Sequence, residues 1–403
     1  MANIIDYLGW RGDLPLEQYA FHEVDGVVLA RLSYLPFQGI VMPDFSDAVT
    51  LAQAADALLR QPDLEQRVLQ QADVALLRAV ADSRRFQGVE LSGYVEQSDA
   101  RTQTQFAAVT FRLTDGRYFA AFRGTDNTLV GWKEDFNMSF TYPVPAQETA
   151  LAYVLALTHQ VPAGTLLLGG HSKGGNLAVY AAAFCDQNVQ DRIEGIYNFD
   201  GPGFDRQLLQ QPSFRRIGGK IHTYVPQSSV VGMLLEHDES YSIIQSNQTF
   251  LLQHDVYSWE VLRDHLVTLD SVTNSSRLVN GTLKELVVEM DPAQRERFID
   301  TVYQVLTQTN VQTLRELNEN RLEHARIILQ AIRNLDEQER KNITGLLRPL
   351  LRSARKSVAE TFQKQPRRDA EGGTQHEAEP HDRDPGDFAA AGEGDGALPG
   401  GEI

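Results

Sequence analysis

Between Gly170 and Gly174 the sequence reads Gly-His-Ser-Lys-Gly, with Leu166-Leu167-Leu168-Gly169 ahead of it and Gly175-Asn176-Leu177-Ala178-Val179-Tyr180 behind. The letters describe a short apolar strand, a turn crowded with glycine, and a helix-forming run. A serine at the apex of such a turn is held in strained backbone with its hydroxyl lifted into the open. A side chain on Gly170 or Gly174 would strike the strand or the helix. The next backbone N–H, that of Lys173, stands at the start of the helix, where a developing oxyanion is favoured. The chemistry on offer is attack of Ser172 on an acyl carbon, provided that a base and an acid stand nearby. The same letters also fit a glycine-rich strand-to-helix turn with an inert serine.

The elements around this turn must position those partners. From about Gln87 to Leu266 apolar strands alternate with helices. "TQFAAVTFRLTDGRYFAAFRGT" reads as two strands around a turn at Asp115-Gly116. "ETALAYVLALTHQ" and "NLAVYAAAF" read as helices. "GTLLLGG", "IEGIYNF" and "KIHTYV" read as strands, and "SIIQSNQTFLL" is expected to end in one more. The pattern predicts an α/β fold, a mainly parallel sheet with helices on both faces. Residues 1–86 read as a mostly helical segment, in which "SDAVTLAQAADALLRQ" begins at a Ser46 cap and "DGVVLARLSYL" fits a buried helix or strand. Residues 87–281 form the expected core. Residues 282–364 read as a helical addition, with a start at Asp291-Pro292 and apolar residues three and four apart in "RFIDTVYQVL" and "RLEHARIILQAI". The stretch 365–403 is rich in Gly, Pro, Glu and Asp, and is expected to be a disordered acidic tail.

Composition narrows the partners. The 403 residues carry a formal net charge of -17, which argues against general binding to nucleic acid or to anionic membrane. The one cysteine, Cys185, allows no intramolecular disulfide, which suits a reducing compartment. No secretory signal and no run of about 20 apolar residues is visible, so a cytoplasmic location without a membrane span is expected. No metal or organic cofactor is implied, and the oligomeric state stays open.

"GGHSKGG" after an apolar strand resembles the α/β-hydrolase elbow in the form seen in class 3 lipases. Upstream, "FAAFRGTDNTLVGWKED" resembles the pattern of those lipases in which a strand leads to Arg-Gly-Thr/Ser, with Trp and Asp a little later; the matching residues are Phe122, Arg123, Gly124, Thr125, Trp132 and Asp135. With "DYLGWRGD", "VPQSSVVGMLL" and "LLQHDVYSW", the chain looks like a bacterial family of predicted hydrolases related to those lipases. The likeness covers roughly Gln87 to Leu266. It implies an oxyanion hole in which Thr125, through its backbone N–H and hydroxyl, works beside the Lys173 N–H. Gly124, Trp132 and Asp135 would support that loop, though Trp132 and Asp135 also fit ordinary loop packing, and Gly170 and Gly174 would support the elbow.

In α/β-hydrolases the chain order is serine, acid, histidine. His254 follows the apolar run in "TFLLQHDVYSW" and is the expected base. His237, in the acidic loop "LLEHDES", is its main competitor. His222 lies inside a strand, His265 in the expected helix "SWEVLRDHLVTL", and His171 is expected to be structural. Class 3 lipases carry their acid in an Asp-x-Val/Ile-Pro segment after the strand that here reads "KIHTYV". Pro226-Gln227-Ser228-Ser229-Val230 stands there instead, without a carboxylate. Asp200, at the end of the preceding strand and before Gly-Pro-Gly, is the favoured acid, because carboxyl ends of parallel strands build such sites. It also fits a turn or capping aspartate, and Asp238 and Asp205 are alternatives. The Lys173 side chain is expected to be a surface charge, and "VVGMLL" either core packing or an acyl-chain wall.

The reading is a serine-dependent carboxylic ester hydrolase, an esterase or lipase acting on a small ester or lipid through an acyl-enzyme. Two alternatives stand beside it. One is a non-catalytic scaffold of the same fold, for which the missing aspartate speaks. The other is a serine acyltransferase.

Overall fold

The computed structural model describes residues 2–99, 104–125, 138, 143–227, 229, 231–232, 235, 237, 239–248 and 250–270, with parts of 297–341, chiefly 321–337. Trp132, Asp135, Asp238, the Asp291-Pro292 helix start and the acidic tail lie outside the described residues.

Strands form where β-branched, aromatic and small apolar residues alternate their faces. β1 (Val49–Thr50), β2 (Glu90–Asp99), β3 (Thr104–Arg112) and β4 (Tyr118–Phe122) pair antiparallel in that order. β4 then pairs parallel with β5 (Leu166–His171), followed by β6 (Ile193–Phe199), β7 (Ile221–Pro226) and β8 (Tyr241–Ile244), all parallel. A small hairpin of β9 (Val261–Leu262) and β10 (His265–Leu266) leads to β11 (Thr268–Leu269), which closes the far edge antiparallel to β8. Among the described residues the sheet has nine strands and is mixed, parallel through its middle and antiparallel at both margins.

Because β4 to β8 lie side by side in chain order, right-handed crossovers deliver their helices to one face of the sheet. α/β connections alone would leave the other face bare. The N-terminal segment covers it, with α1 (Ile4–Arg11), α2 (Glu23–Leu32), α3 (Leu51–Leu59), α4 (Leu64–Arg67) and α5 (Gln71–Asp82). Strand alternation divides the side chains between two cores. Val109, Phe111, Phe119, Ala121 and Leu167 pack with Val24, Val28, Leu77 and Val80 of α2 and α5. Phe106, Ala108, Ala120, Phe122, Leu166 and Leu168 pack on the opposite face, against α6 (Pro145–Gln160) and α7 (Lys173–Phe184). The apolar run in "DGVVLARLSYL" is a helix, α2, buried from Val24 to Leu32.

After α7 come the short helices α8 (Gln187–Arg192), α9 (Arg206–Leu209) and α10 (Pro212–Ile217), and later α11 (Arg321–Asn334), which contains "RLEHARIILQAI". No described helix is long and apolar enough to cross a membrane.

Three local expectations are corrected. Thr50, not Ser46, caps α3: its hydroxyl accepts from the Gln53 N–H, while Ser46 is held in a turn by the Asp44 carboxylate. Thr50 is also paired with Glu90 in the sheet, so the helix cannot start earlier. "SWEVLRDHLVTL" is not a helix but the β9–β10 hairpin and β11, turning at Arg263 with φ 62. The buried apolar residues entering its first strand, Trp259 and Val261, are two apart, the period of a strand. The strand expected to end at "FLL" stops at Ile244, and Phe250–His254 is a 3-10 turn.

Candidate active site

The turn between β5 and α7 is as tight as its glycines suggested. A Cβ on Gly170 would lie 2.4 Å from the Gly174 carbonyl carbon, and one on Gly174 would lie 2.0 Å from the Phe122 carbonyl oxygen. Ser172, at the apex, has φ 59 and ψ -134. This left-handed backbone costs an ordinary residue energy and is kept where the surroundings enforce it. The enforcement is visible: the Ser172 N–H donates to the Phe199 carbonyl at 2.9 Å, and the Gly175 N–H donates to the Ser172 carbonyl at 2.9 Å. The elbow is thereby pinned to the end of β6.

The residue just after β6, Asp200, repeats the device. Its φ is 54, and its N–H donates to the Tyr224 carbonyl of β7 at 2.8 Å. Among the described residues only Ser172, Asp200, Leu235 and Arg263 are non-glycine residues with positive φ. A Cβ on Gly201 would come within 2.5 Å of the Ser172 carbonyl oxygen, so the two strand ends touch. Asp200 is fully buried, and a buried carboxylate needs donors. Oδ2 receives the His254 Nδ1–H at 2.6 Å. Oδ1 receives the Gly232 N–H at 3.1 Å and the Ser229 hydroxyl at close range. His254 enters at the end of the 3-10 turn Phe250–His254, with its side chain partly exposed.

The other candidates are placed elsewhere. Both His237 nitrogens are engaged, Nδ1 with Glu239 at 3.0 Å and Nε2 with the Gly232 carbonyl at 2.7 Å. Burial would raise the Glu239 carboxyl, but the His237 and Thr223 hydrogen bonds outweigh it and hold the carboxyl below its usual range. His222 stacks on Tyr197 at 5.2 Å, and burial lowers its pKa. His265 is exposed on the hairpin beside Glu23. Asp205 caps α9 by accepting from the Gln207 N–H at 2.8 Å.

Gly124 lies directly against the elbow. A Cβ there would meet the Tyr34 hydroxyl at 2.3 Å, the His171 carbonyl oxygen at 2.5 Å and the Ser172 Cβ at 2.9 Å. Thr125 follows, half-buried. On the other side of the serine, Lys173 opens α7. Its side chain is not a surface charge: it is 1% exposed, and Nζ donates to the Gln105 carbonyl of β3 at 2.9 Å. The first turn of α7 is wholly buried, and the Lys173 ammonium ends on a main-chain acceptor.

Sequence reasoning missed Ser229 and Gly232 as partners of Asp200. The one available signal was that "PQSSVV" offers hydroxyls where a carboxylate was sought. It also missed Tyr34, which no motif marks. The His171 ring lies over His254 at 4.5 Å, and its Nε2 meets the His254 carbonyl at 2.8 Å.

A fully buried carboxylate on an imidazole, beside a serine raised on a strained turn at the neighbouring strand end, can carry out proton-assisted nucleophilic attack. Residues 80–304 match a family model described as Mbeg1-like. No curated protein matches the chain. Among solved structures, the native Rhizomucor miehei lipase propeptide complex is similar at 18% identity and a TM-score of 0.31, over 42% of this chain and 60% of that one. The chain thus spans 60% of that structure's length. M37 lipase is similar at 14% identity and a TM-score of 0.36, over 53% of this chain and 70% of that one.

Proposed function

This chain belongs to the Mbeg1-like family, and from that premise and the site's geometry we propose that it is a serine hydrolase that cleaves carboxylic esters through an acyl-enzyme. Ser172 is the nucleophile, His254 the base and Asp200 the acid. With Nδ1–H donated to Asp200, the lone pair of His254 is on Nε2, the nitrogen that takes the Ser172 proton. The hydroxyl oxygen adds to the acyl carbon. The N–H groups of Thr125 and Lys173 receive the oxyanion, in a site where prearranged donors are worth more than in water. The imidazolium, stabilised by Asp200, then gives its proton to the leaving alkoxide. A water molecule, deprotonated by the same ring, releases the acid and restores Ser172.

The observation that carries this reading is the 2.6 Å contact between His254 Nδ1 and a carboxylate with no solvent exposure. A catalytically silent scaffold drew its case from the missing carboxylate in Pro226–Val230. Asp200 supplies a carboxylate from one strand earlier, and that loop supplies its donors. The substrate class is a small ester or a lipid.

The test is hydrolysis of p-nitrophenyl esters of graded chain length by the wild type and by Ser172→Ala. Turnover by the wild type with background rates for the variant is expected, and the free acid should remain the main product when alcohols or amines are added. Equal rates for both proteins would overturn the proposal. Acyl transfer to the added acceptor as the main outcome would make the enzyme a transferase.

A further inference from the structure

One hydroxyl from the N-terminal segment reaches three parts of the site. Tyr34 follows the end of α2 and is buried. Its oxygen accepts the Gly124 N–H at 3.1 Å, and it lies 3.1 Å from His171 Nδ1 and 3.2 Å from the His171 carbonyl. The far side of the His171 ring reaches the His254 carbonyl, at 2.8 Å from Nε2.

The direction of each hydrogen bond follows from the chemistry of the partners. A carbonyl only accepts, so the His171 proton is on Nε2. Burial, then the neighbouring His254 and Arg31, hold the His171 pKa well below its ordinary 6.5, so the ring is neutral. Nδ1 therefore carries a lone pair, and the Tyr34 O–H is shared between it and the His171 carbonyl, both of which only accept. The chain of donors is complete: Gly124 N–H to Tyr34, Tyr34 O–H to His171, and His171 Nε2–H to His254.

The Tyr34 ring is itself fixed from behind. The Arg31 guanidinium lies 4.5 Å from the Tyr34 ring centre and 5.3 Å from that of Tyr257. Asp73 holds Arg31 through two bonds of 2.6 and 2.8 Å, and it receives the Tyr257 hydroxyl at 2.7 Å. Tyr34, Arg31 and Asp73 all precede the stretch that the family model matches.

We propose that Tyr34 and His171 form a hydrogen-bonded strut that sets the oxyanion loop, the elbow and the backbone of His254 at fixed spacing. Both act as positioning residues, and the inference rests on the hydrolase reading. Neither side chain reacts. The strut limits the excursions of Gly124-Thr125 and of His254 that would take them out of line with the Ser172 hydroxyl. Since it touches no leaving group or acyl chain, its removal should lower kcat and leave KM unchanged.

The experiment has two arms. Long-range 1H–15N spectra of the full chain labelled in histidine, with His171 assigned through His171→Gln, should show the Nε2–H tautomer in the wild type. The Nδ1–H tautomer would overturn the strut whether or not the protein is an enzyme. In the kinetic arm, Tyr34→Phe should lower kcat for a short ester by about 10- to 100-fold with KM held within about twofold. Tyr153→Phe is the control: it also loses a buried hydroxyl, one bonded to Thr110 at 2.8 Å, but it touches neither Gly124 nor His171. It should keep wild-type kcat. Wild-type kcat in Tyr34→Phe, or an equal loss in Tyr153→Phe, would overturn the inference. If Tyr34→Phe does not fold, the tautomer decides it. A wild type with no esterase activity would defeat the hydrolase reading, and the tautomer would still decide the wiring.

Discussion

Ser229 gives its hydroxyl to the buried carboxylate of Asp200. The two residues come from successive strand ends, Asp200 after β6 and Ser229 after β7. The loop after β7 thus supplies donors to that carboxylate. The same serine oxygen also accepts the Gly232 N–H at 2.9 Å, so one side chain holds both the carboxylate and the loop that covers it.

Ser229→Ala should therefore act on both stability and rate. It removes a donor to a charged, desolvated group, a loss of roughly 1.5–3 kcal/mol. A lower denaturation midpoint is expected. A fall in kcat of about 10-fold should accompany it, because Asp200 loses one of the bonds that orient it. An unchanged midpoint by urea titration would contradict the role given to Ser229.

Asp200→Asn keeps the shape of the acid and removes its charge. It can also turn the imidazole to the wrong tautomer. The expected result is a fall in kcat of roughly 10² to 10⁴ with little change in KM. Asp238→Asn is the matched control and should be nearly silent. If Asp238→Asn were the crippling change, the acid would have to be reassigned to the later loop.

The two competing histidines separate by their partners. His254→Ala should abolish ester turnover. His237→Ala should lower stability and keep kcat within about 10-fold, since His237 braces Gly232 and Glu239 and does not reach Asp200 directly. Steady-state kinetics and thermal melts on the same preparations check both. Equal losses of turnover would contradict the assignment of the base.

Acidification should weaken the fold before the carboxylates titrate. Burial lowers the pKa of His171, which faces Tyr34, Arg31 and His254, and it lowers those of His22 and His222 as well. A lowered folded value means that the unfolded chain takes up these protons first. Stability is therefore full above about 6.5 and declines as the pH falls below it, by up to about 1.4 kcal/mol per pH unit for each group. Glu96 and Glu239, whose folded values lie below 4.5, add their own loss only at lower pH. Urea unfolding at pH 7.5 and 5.5 should show a lower midpoint at 5.5. A constant or rising midpoint would contradict the buried neutral state.

Much of this site was legible because its constraints are local. Glycines at Gly170 and Gly174 are required by backbone contacts that no other residue tolerates, so spacing alone pointed to the elbow. Asp200 and His254 were legible from their places after apolar runs, and the two lie 2.6 Å apart. What stayed hidden depends on tertiary partners. Tyr34 sits in a helical segment with no motif, and it meets Gly124 and His171 only because α2 crosses the bare face of the sheet behind His171. Lys173 reads as a surface charge by type, but its position on the sheet side of α7 buries it. The hairpin at 261–266 carries apolar letters four and five apart that also suit a helix. Burial of Trp259 and Val261, two residues apart, decides for the strand period.

The central claim is that Ser172 is activated, and a fluorophosphonate probe reads activation directly, since an ordinary serine hydroxyl does not react. Intact-mass measurement followed by peptide mapping should find one adduct per chain, on the peptide that carries Ser172. Ser172→Ala should carry none, and His254→Ala should label far more slowly. An unlabelled wild type, or labelling that survives Ser172→Ala, would contradict the claim.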